Sequence, residues 1–201
     1  MGKALVINGS PHKDGMTMEL ARVVIETIEE SGYEVEILHL VDCDIRPCKG
    51  CGSEEPKKCT RRTCTSDDLR DDMVWIFEKI LEADILIFVT PVYWYAMSGM
   101  MKNLIDRLTA LENEGKLLDG KVGGIVVTGT EDGAMQTILG LMGTLNDMGL
   151  LFPPYGFTYS IGFEDVTKDC EAIHYATLVG KNVVKLCELT KGERWWVDFN
   201  P

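Results

Sequence analysis

Taken as a string of apolar and polar positions, the chain switches repeatedly between two periods. Ala4, Leu5, Val6 and Ile7 form a short unbroken apolar run, the pattern of a strand covered on both faces. From residue 16 the apolar positions move to Leu20, Val24 and Ile28, which share a face only at helical spacing, and Gly32 follows where a left-handed cap would end the segment. The first helix is expected at about 16–31. Val35, Ile37, Leu38 and Leu40 alternate in part and predict a second strand near a sheet edge, ended by the polar stretch 42–47. Met73, Ile76, Phe77, Ile80 and Leu81 stripe a second helix. Thr65 and Asp68 have capping-box spacing ahead of it, and Asp67, Asp68, Asp71 and Asp72 suit the positive end of its dipole.

Residues 84–90 are a continuous apolar run bounded by polar positions, as expected of a central strand. Met101, Leu104, Ile105 and Leu108 mark a third helix, residues 123–127 a fourth strand, and Ile138, Leu141, Met142, Leu145 and Met148 a fourth helix stopped at Gly149. A fifth strand falls within 150–161, interrupted by Pro153 and Pro154. A fifth helix at about 167–190 turns Ile173, Ala176, Val183 and Cys187 inward, and an aromatic tail follows. Five alternations of strand and helix, joined by right-handed crossovers, give an α/β doubly wound five-stranded parallel sheet with helices on both faces. We expect one domain over residues 1–201, carrying a cysteine-rich, aperiodic insertion at about 43–66. In the strand order 2-1-3-4-5 the ligand crevice lies beyond the carboxyl ends of strands one and three.

Three loops meet at that edge with complementary chemistry. The first, 8–18, aims the free N–H groups of a helix start, with the Ser10 and Thr17 hydroxyls, at one point where an anion belongs; His12 lies beside it. It lacks both the Gly-Lys-Ser/Thr ending of a nucleoside-triphosphate loop and the Gly-x-Gly-x-x-Gly dinucleotide fingerprint, so a phosphomonoester such as that of FMN fits better. An ordinary strand-to-helix turn is the competing reading. The second loop, Pro91, Val92, Tyr93, Trp94 and Tyr95, offers stacking surface, or else a lid or subunit contact. The third, containing Thr128, Gly129, Thr130, Asp132 and Gly133, offers hydroxyls and backbone donors for the edge of a flavin ring.

Composition narrows the class. With 20 Lys and Arg against 32 Asp and Glu, the chain is poorly suited to nucleic acid or anionic membranes. No signal-peptide pattern opens it and no apolar run approaches a membrane span, which leads to an expected cytoplasmic location. Its seven cysteines are then thiols or metal ligands before disulfides. Cys48 and Cys51 have the two-residue spacing that presents a pair of thiolates to one metal, and Cys59 and Cys64 supply a third and fourth. Their unequal spacing favours an iron-sulfur cluster over zinc. Arg46, Lys49, Lys57, Lys58, Arg61 and Arg62 make the same loop basic, suited to a reduced cluster, a nicotinamide phosphate or an acidic partner. A structural loop with free thiols and a solvated charged face is the alternative. Cys43, Cys170 and Cys187 have no motif partner, and His39 and His174 read as structural.

Asn8-Gly9-Ser10-Pro11 with Gly15 and Thr17, then Asp71-Asp72-Met73, residues 87–95 with Met97-Ser98, and residues 100–107 resemble the NADPH-dependent FMN reductase and iron-sulfur flavoprotein group of flavodoxin-like proteins. The resemblance covers about the first 130 residues. It implies bound FMN, reduction of the flavin by NADPH, NADH or another electron carrier, a small-molecule or protein acceptor, and a homodimer or homotetramer. It also implies that Ser10, Met16, Thr17 and Met18 hold the phosphate and that Pro91, Val92, Tyr93, Trp94 and Tyr95 line the ring, with the 128–133 loop a looser match. A four-iron four-sulfur cluster on the cysteines follows the same resemblance, although the group's third cysteine falls here at Glu54. No side-chain catalytic residue is expected, because the cofactor carries the chemistry. A non-catalytic flavodoxin-type carrier and a zinc-stabilised interaction module are the rival readings.

Overall fold

The computed structural model describes residues 2–53, 55–65 and 71–197. Five parallel strands, β1 (Lys3–Asn8), β2 (Glu34–His39), β3 (Ile85–Pro91), β4 (Val122–Gly129) and β5 (Phe157–Ile161), lie in the order β2-β1-β3-β4-β5. β1 and β3 run side by side, in register from Ala4 opposite Ile85 to Asn8 opposite Val89. Their unbroken apolar runs are explained by what covers them. Leu5, Ile7, Leu86 and Phe88 pack on one face against α3 (Met73–Glu82), α4 (Gly99–Asn113) and α5 (Ala134–Asp147). Ala4, Val6, Ile85, Ile87 and Val89 pack on the other against α1 (Met16–Glu30) and α6 (Cys170–Thr190). Each large apolar side chain buried this way stabilises the fold by about 1.5–3 kcal/mol, so truncating Phe88 to Ala should cost about 3–5 kcal/mol.

The start of α4 is fastened to the edge where the crevice lies. Ser98 caps the helix by accepting from the Met101 N–H at 3.2 Å, while its hydroxyl donates to the Gly9 carbonyl at 2.6 Å and its own N–H reaches Thr90 Oγ1 at 3.1 Å. One cap thus fixes the carboxyl ends of β1 and β3 against each other.

Four sequence expectations are corrected. The insertion, though aperiodic in sequence, is not wholly irregular in structure: it contains α2 (Arg61–Cys64), closed by a capping box between Thr60 and Thr63. Thr65 ends this helix rather than starting the next, and α3 begins at Met73, whose N–H bonds the Asp71 carboxylate at 3.1 Å. Asp67 and Asp68, to which the expected capping box and part of the dipole charge fall, lie outside the described residues, as does Glu54. β5 is confined to 157–161, because Pro153 and Pro154 lack the N–H groups that would extend it; Leu151 makes a separate bridge to Val122. α6 starts at Cys170, capped by Asp169, and buries Ala172 and Val179 more fully than Ile173.

The tail folds back, but against the turn after α4 rather than over the last helix. The Asp119 carboxylate accepts from the backbone N–H of Trp195 (2.9 Å) and Trp196 (3.1 Å), and the Lys116 ammonium lies 3.7 Å above the Trp196 ring. Asp198 and Phe199 lie outside the described residues.

Candidate functional site

Where β1 ends, Asn8 organises the first loop. Its buried side chain accepts from the Ser10 N–H at 2.9 Å, which fixes its amide orientation and leaves the nitrogen to donate to His39 Nδ1 at 3.0 Å. Ser10 Oγ in turn accepts from the His12 N–H at 3.1 Å, so its hydroxyl hydrogen is free for a ligand. α1 then begins at Gly15 with no side-chain cap, and the first intrahelical bonds run from Met18 and Glu19 to the Gly15 carbonyl. The amides of Met16 and Thr17 precede those bonds, at the positive end of the helix. The nearby cations are already engaged: Lys13 pairs with Asp42 and Arg22 with Asp14. An anion here would be held by amides and hydroxyls.

The third loop closes on the first through one short contact. Thr17 Oγ1 and Thr128 Oγ1 are 2.7 Å apart and buried, although 111 positions separate them in the chain. Val92 N–H donates to the Thr128 carbonyl at 2.7 Å and carries the aromatic segment alongside. That segment is a tight hairpin: Tyr93 and Ala96 exchange both backbone bonds, while Trp94 (φ 50°) and Tyr95 (φ 62°) are both left-handed. Two bulky side chains in this region cost about 1–2 kcal/mol each, a strain that clusters at functional sites. Gly133 (φ +90°) makes the approach feasible, since a Cβ there would sit 2.8 Å from the Tyr95 Cα.

The three loops enclose a cleft of about 610 Å³ lined by Ser10, His12, Gly15, Met16, Thr17, Pro91, Val92, Tyr93, Trp94, Thr128, Gly129 and Thr130. Tyr95 and Asp132 line an adjoining recess of about 320 Å³ together with Val92, Trp94, Thr130 and Glu131. Gly133 caps α5 behind it. Met18 does not reach the cleft: one step around α1 from Thr17, its side chain lies in the core beneath the sheet, and its amide is taken by Gly15.

The four loop cysteines lie apart from the cleft lining, beside the later turns of α4: Cys48 and Cys59 share a cavity with Asp106, Thr109, Glu112 and Asn113. Cys48 and Cys51 are exposed, Cys59 and Cys64 buried. Burial pushes the Cys59 thiol up to about 11 against a pull from Asn113, and Cys51 adds to the rise. Burial also raises the Cys64 thiol, whose electrostatic neighbours include Arg107, Cys48 and Cys51. Among the described residues, no three His, Cys, Asp or Glu side chains are grouped as metal ligands. What fits a metal is the donor chemistry: four soft sulfur atoms, a cavity of about 540 Å³ touching Cys48 and Cys59, and a cationic donor aimed at the Cys64 sulfur. The basic character of the loop is partly neutralised, since Lys58 pairs with Glu55, Arg61 with Glu114 and Arg46 with Asp44.

Sequence reading missed Arg107, which sits in the middle of the apolar α4 stripe and is fully buried. Its sequence signals were that register and its place at the end of the 100–107 motif, neither of which names a partner. Every guanidinium N–H is satisfied. Nε donates to Cys64 Sγ at 2.9 Å, Nη1 to Asp71 Oδ2 (2.6 Å) and the Arg46 carbonyl (2.8 Å), and Nη2 to the Cys64 carbonyl (2.7 Å) and Asp71 Oδ1 (3.2 Å). Burial opposes the Arg107 charge, but the bonds to Asp71 and Cys64 outweigh it and hold the group protonated.

A five-stranded sheet of this order, with an anion cradle and an aromatic loop at its switch point, defines a flavodoxin-like protein. The sequence profile of the NADPH-dependent FMN reductases matches residues 3–163, and the chain belongs to that family as an NAD(P)H-dependent FMN oxidoreductase. An iron-sulfur flavoprotein of Archaeoglobus fulgidus is 33% identical over 207 residues, covering 96% of this chain and 98% of that protein. Another, from Methanocaldococcus jannaschii, is 36% identical over 139 residues, covering 68% of this chain and 67% of its own. Among solved structures, RosB with bound 8-demethyl-8-formylriboflavin-5'-phosphate superposes with TM-score 0.79 at 22% identity, covering 95% of this chain and 81% of that one. An archaeal flavodoxin gives 0.60 at 15% identity, covering 94% and 99%. No helix among the described residues is long and apolar enough to cross a membrane.

Proposed function

We propose that FMN binds in the 610 Å³ cleft with its phosphate on the first loop and its ring against the second and third. The observation that carries this is the convergence of the uncapped α1 start, the free Ser10 hydroxyl hydrogen and the Thr17–Thr128 pair on one wall of that cleft. Ser10, His12, Met16 and Thr17 hold the phosphate. Pro91, Val92, Tyr93 and Trp94 face the ring, with Thr128, Gly129 and Thr130 at its polar edge; Tyr95 and Asp132 flank it from the adjoining recess, and Gly133 lets the third loop approach the second closely. Bound FMN supplies hydride acceptance from NADPH or NADH and onward release of electrons. The chain's own part is to fix the flavin, present backbone donors to it and leave an adjoining recess open to a donor or acceptor.

We further propose that Cys48, Cys51, Cys59 and Cys64 would hold a four-iron four-sulfur cluster, which when bound would supply single-electron transfer to a small-molecule or protein acceptor. The donor set supports this, as do the relatives named iron-sulfur flavoproteins. The protein acts as one domain in the cytoplasm and as a homodimer or homotetramer. Trp94 (95% exposed), Tyr95 and, on α5, Leu139 would meet a second copy. Anaerobic purification with a visible spectrum, iron, sulfide and zinc analysis, and steady-state NADPH and NADH oxidation tests the whole reading. FMN with iron and sulfide supports it. Zinc in their place removes the cluster, and a protein that holds no FMN removes the cleft assignment.

A further inference from the structure

Arg107 is an expensive residue to bury, and four of its five N–H bonds have an evident purpose. They go to Asp71 and to the carbonyls of Arg46 and Cys64, which staples the cysteine segment to α4 and to the start of α3. The fifth, from Nε, goes at 2.9 Å to a sulfur atom. A neutral thiol is a weak acceptor and repays little of the cost of desolvating a guanidinium, whereas a thiolate bound to a metal accepts such a bond strongly. Asp71 accepts from the amides of Arg46 (3.0 Å) and Met73 (3.1 Å) as well as from Arg107, so the direction of the fork is fixed from behind. The Nε–H vector is held on Cys64 before any metal arrives.

We propose that Arg107 is a positioning residue for Cys64, holding its sulfur as the cationic-donor-bonded ligand of the cysteine-bound cluster and drawing the cluster's reduction potential upward. The proposal rests on the cluster reading above. When reduced flavin passes one electron to the cluster, the cluster gains one negative charge and the flavin loses one. A cationic N–H aimed at a ligand sulfur stabilises the charged, reduced form more than the oxidised one. Cys48, which is exposed, accepts from a neutral donor, the Gly50 amide at 3.4 Å.

The test uses the full chain with bound FMN, handled without oxygen, as wild type and as Arg107→Lys, which keeps a cation beside Asp71 but cannot keep the fork. We expect the variant to retain FMN and iron while its midpoint falls. At a potential where half the wild-type clusters are reduced, fewer than one in ten of the variant's should be, measured by electron paramagnetic resonance. A purely structural role would leave the midpoint unmoved, and an equal midpoint overturns the proposal. Should the variant hold no cluster, wild type labelled with ¹⁵N-arginine decides. Pulsed resonance on the reduced cluster should show coupling to one guanidinium nitrogen, and its absence overturns the proposal. Wild type that binds FMN but neither iron nor sulfide overturns the cluster reading and this inference together, whereas a cluster indifferent to Arg107 overturns this inference alone.

Discussion

Thr17 and Thr128 share one hydrogen bond of 2.7 Å between two hydroxyls, one at the first turn of α1 and the other at the end of β4. Only one of them can donate to the other, so one hydroxyl hydrogen is left over in a buried position beside the cleft. An anionic ligand would accept it and set the direction of the pair. Thr17→Val keeps the shape and removes the hydroxyl. FMN affinity in titrations of the apoprotein should fall by about 1–3 kcal/mol through loss of a charge-assisted bond. Unchanged affinity would place the phosphate elsewhere.

The Trp94–Tyr95 turn stores strain that a ligand-free protein does not need. Tyr95→Gly allows the φ of 62° without penalty and should raise the stability of the FMN-free protein by about 1 kcal/mol in urea unfolding. A loss of stability instead would show that Tyr95 ring contacts outweigh its backbone cost.

Cys43 makes alkaline stability depend on one thiol outside the proposed metal set. Burial, then the charges of Asp72 and Asp42, push it from about 9 to about 11. Because the folded value is raised, its contribution is fully present below about pH 9 and is lost as pH rises through about 11. Cys43→Ala should flatten that part of the stability profile, and thermal unfolding from pH 8 to 11 measures it. An identical slope in both proteins would exclude Cys43 as the source.

Aromatic and aliphatic exposure at Trp94 and Leu139 leads to an assembly prediction. Light scattering should give a multiple of 22.4 kDa for wild type, and Trp94→Ser with Leu139→Lys should shift the mass toward that value. A wild-type monomer across a wide concentration range would sink it.

The sheet order and both core faces were legible because β1 and β3 carry unbroken apolar runs and each long helix a stripe, signals that tertiary contacts reinforce. The cleft loops were legible for the same reason: once the strand order is known, the carboxyl ends of β1, β3 and β4 must meet. Met18 was misplaced because consecutive residues at a helix start point about 100° apart, so Thr17 can face the cleft while Met18 enters the core. α2 was invisible because four residues carry no period, and its stability comes from the Thr60–Thr63 box. Arg107 was hidden by chemistry: a charged residue in an apolar stripe reads as exposed unless its partner, Asp71, is known to fold beneath it.

Asp71 and Arg107 have fully buried side chains 2.6 Å apart, and removing one partner strands the other charge. Asp71→Ala should therefore destabilise the protein by about 3–5 kcal/mol in urea unfolding, far more than any of the exposed ion pairs such as Lys3–Glu82. The loss should begin locally. Asp71 also accepts from the Arg46 amide, and Arg107 from its other side holds the carbonyls of Arg46 and Cys64, so the variant releases both ends of the cysteine segment at once. The first loop shares none of these bonds. Brief trypsin treatment should then cut the variant at Arg61 or Arg62 in conditions where wild type resists and FMN stays bound. Replacing the pair together, Asp71→Leu with Arg107→Met, should recover most of the global stability because no charge is left stranded, yet the segment should remain sensitive to trypsin, since its carbonyl anchors are still missing. Recovery of both would mean that apolar packing alone orders the cysteine segment, and recovery of neither that the staple is needed by the whole fold.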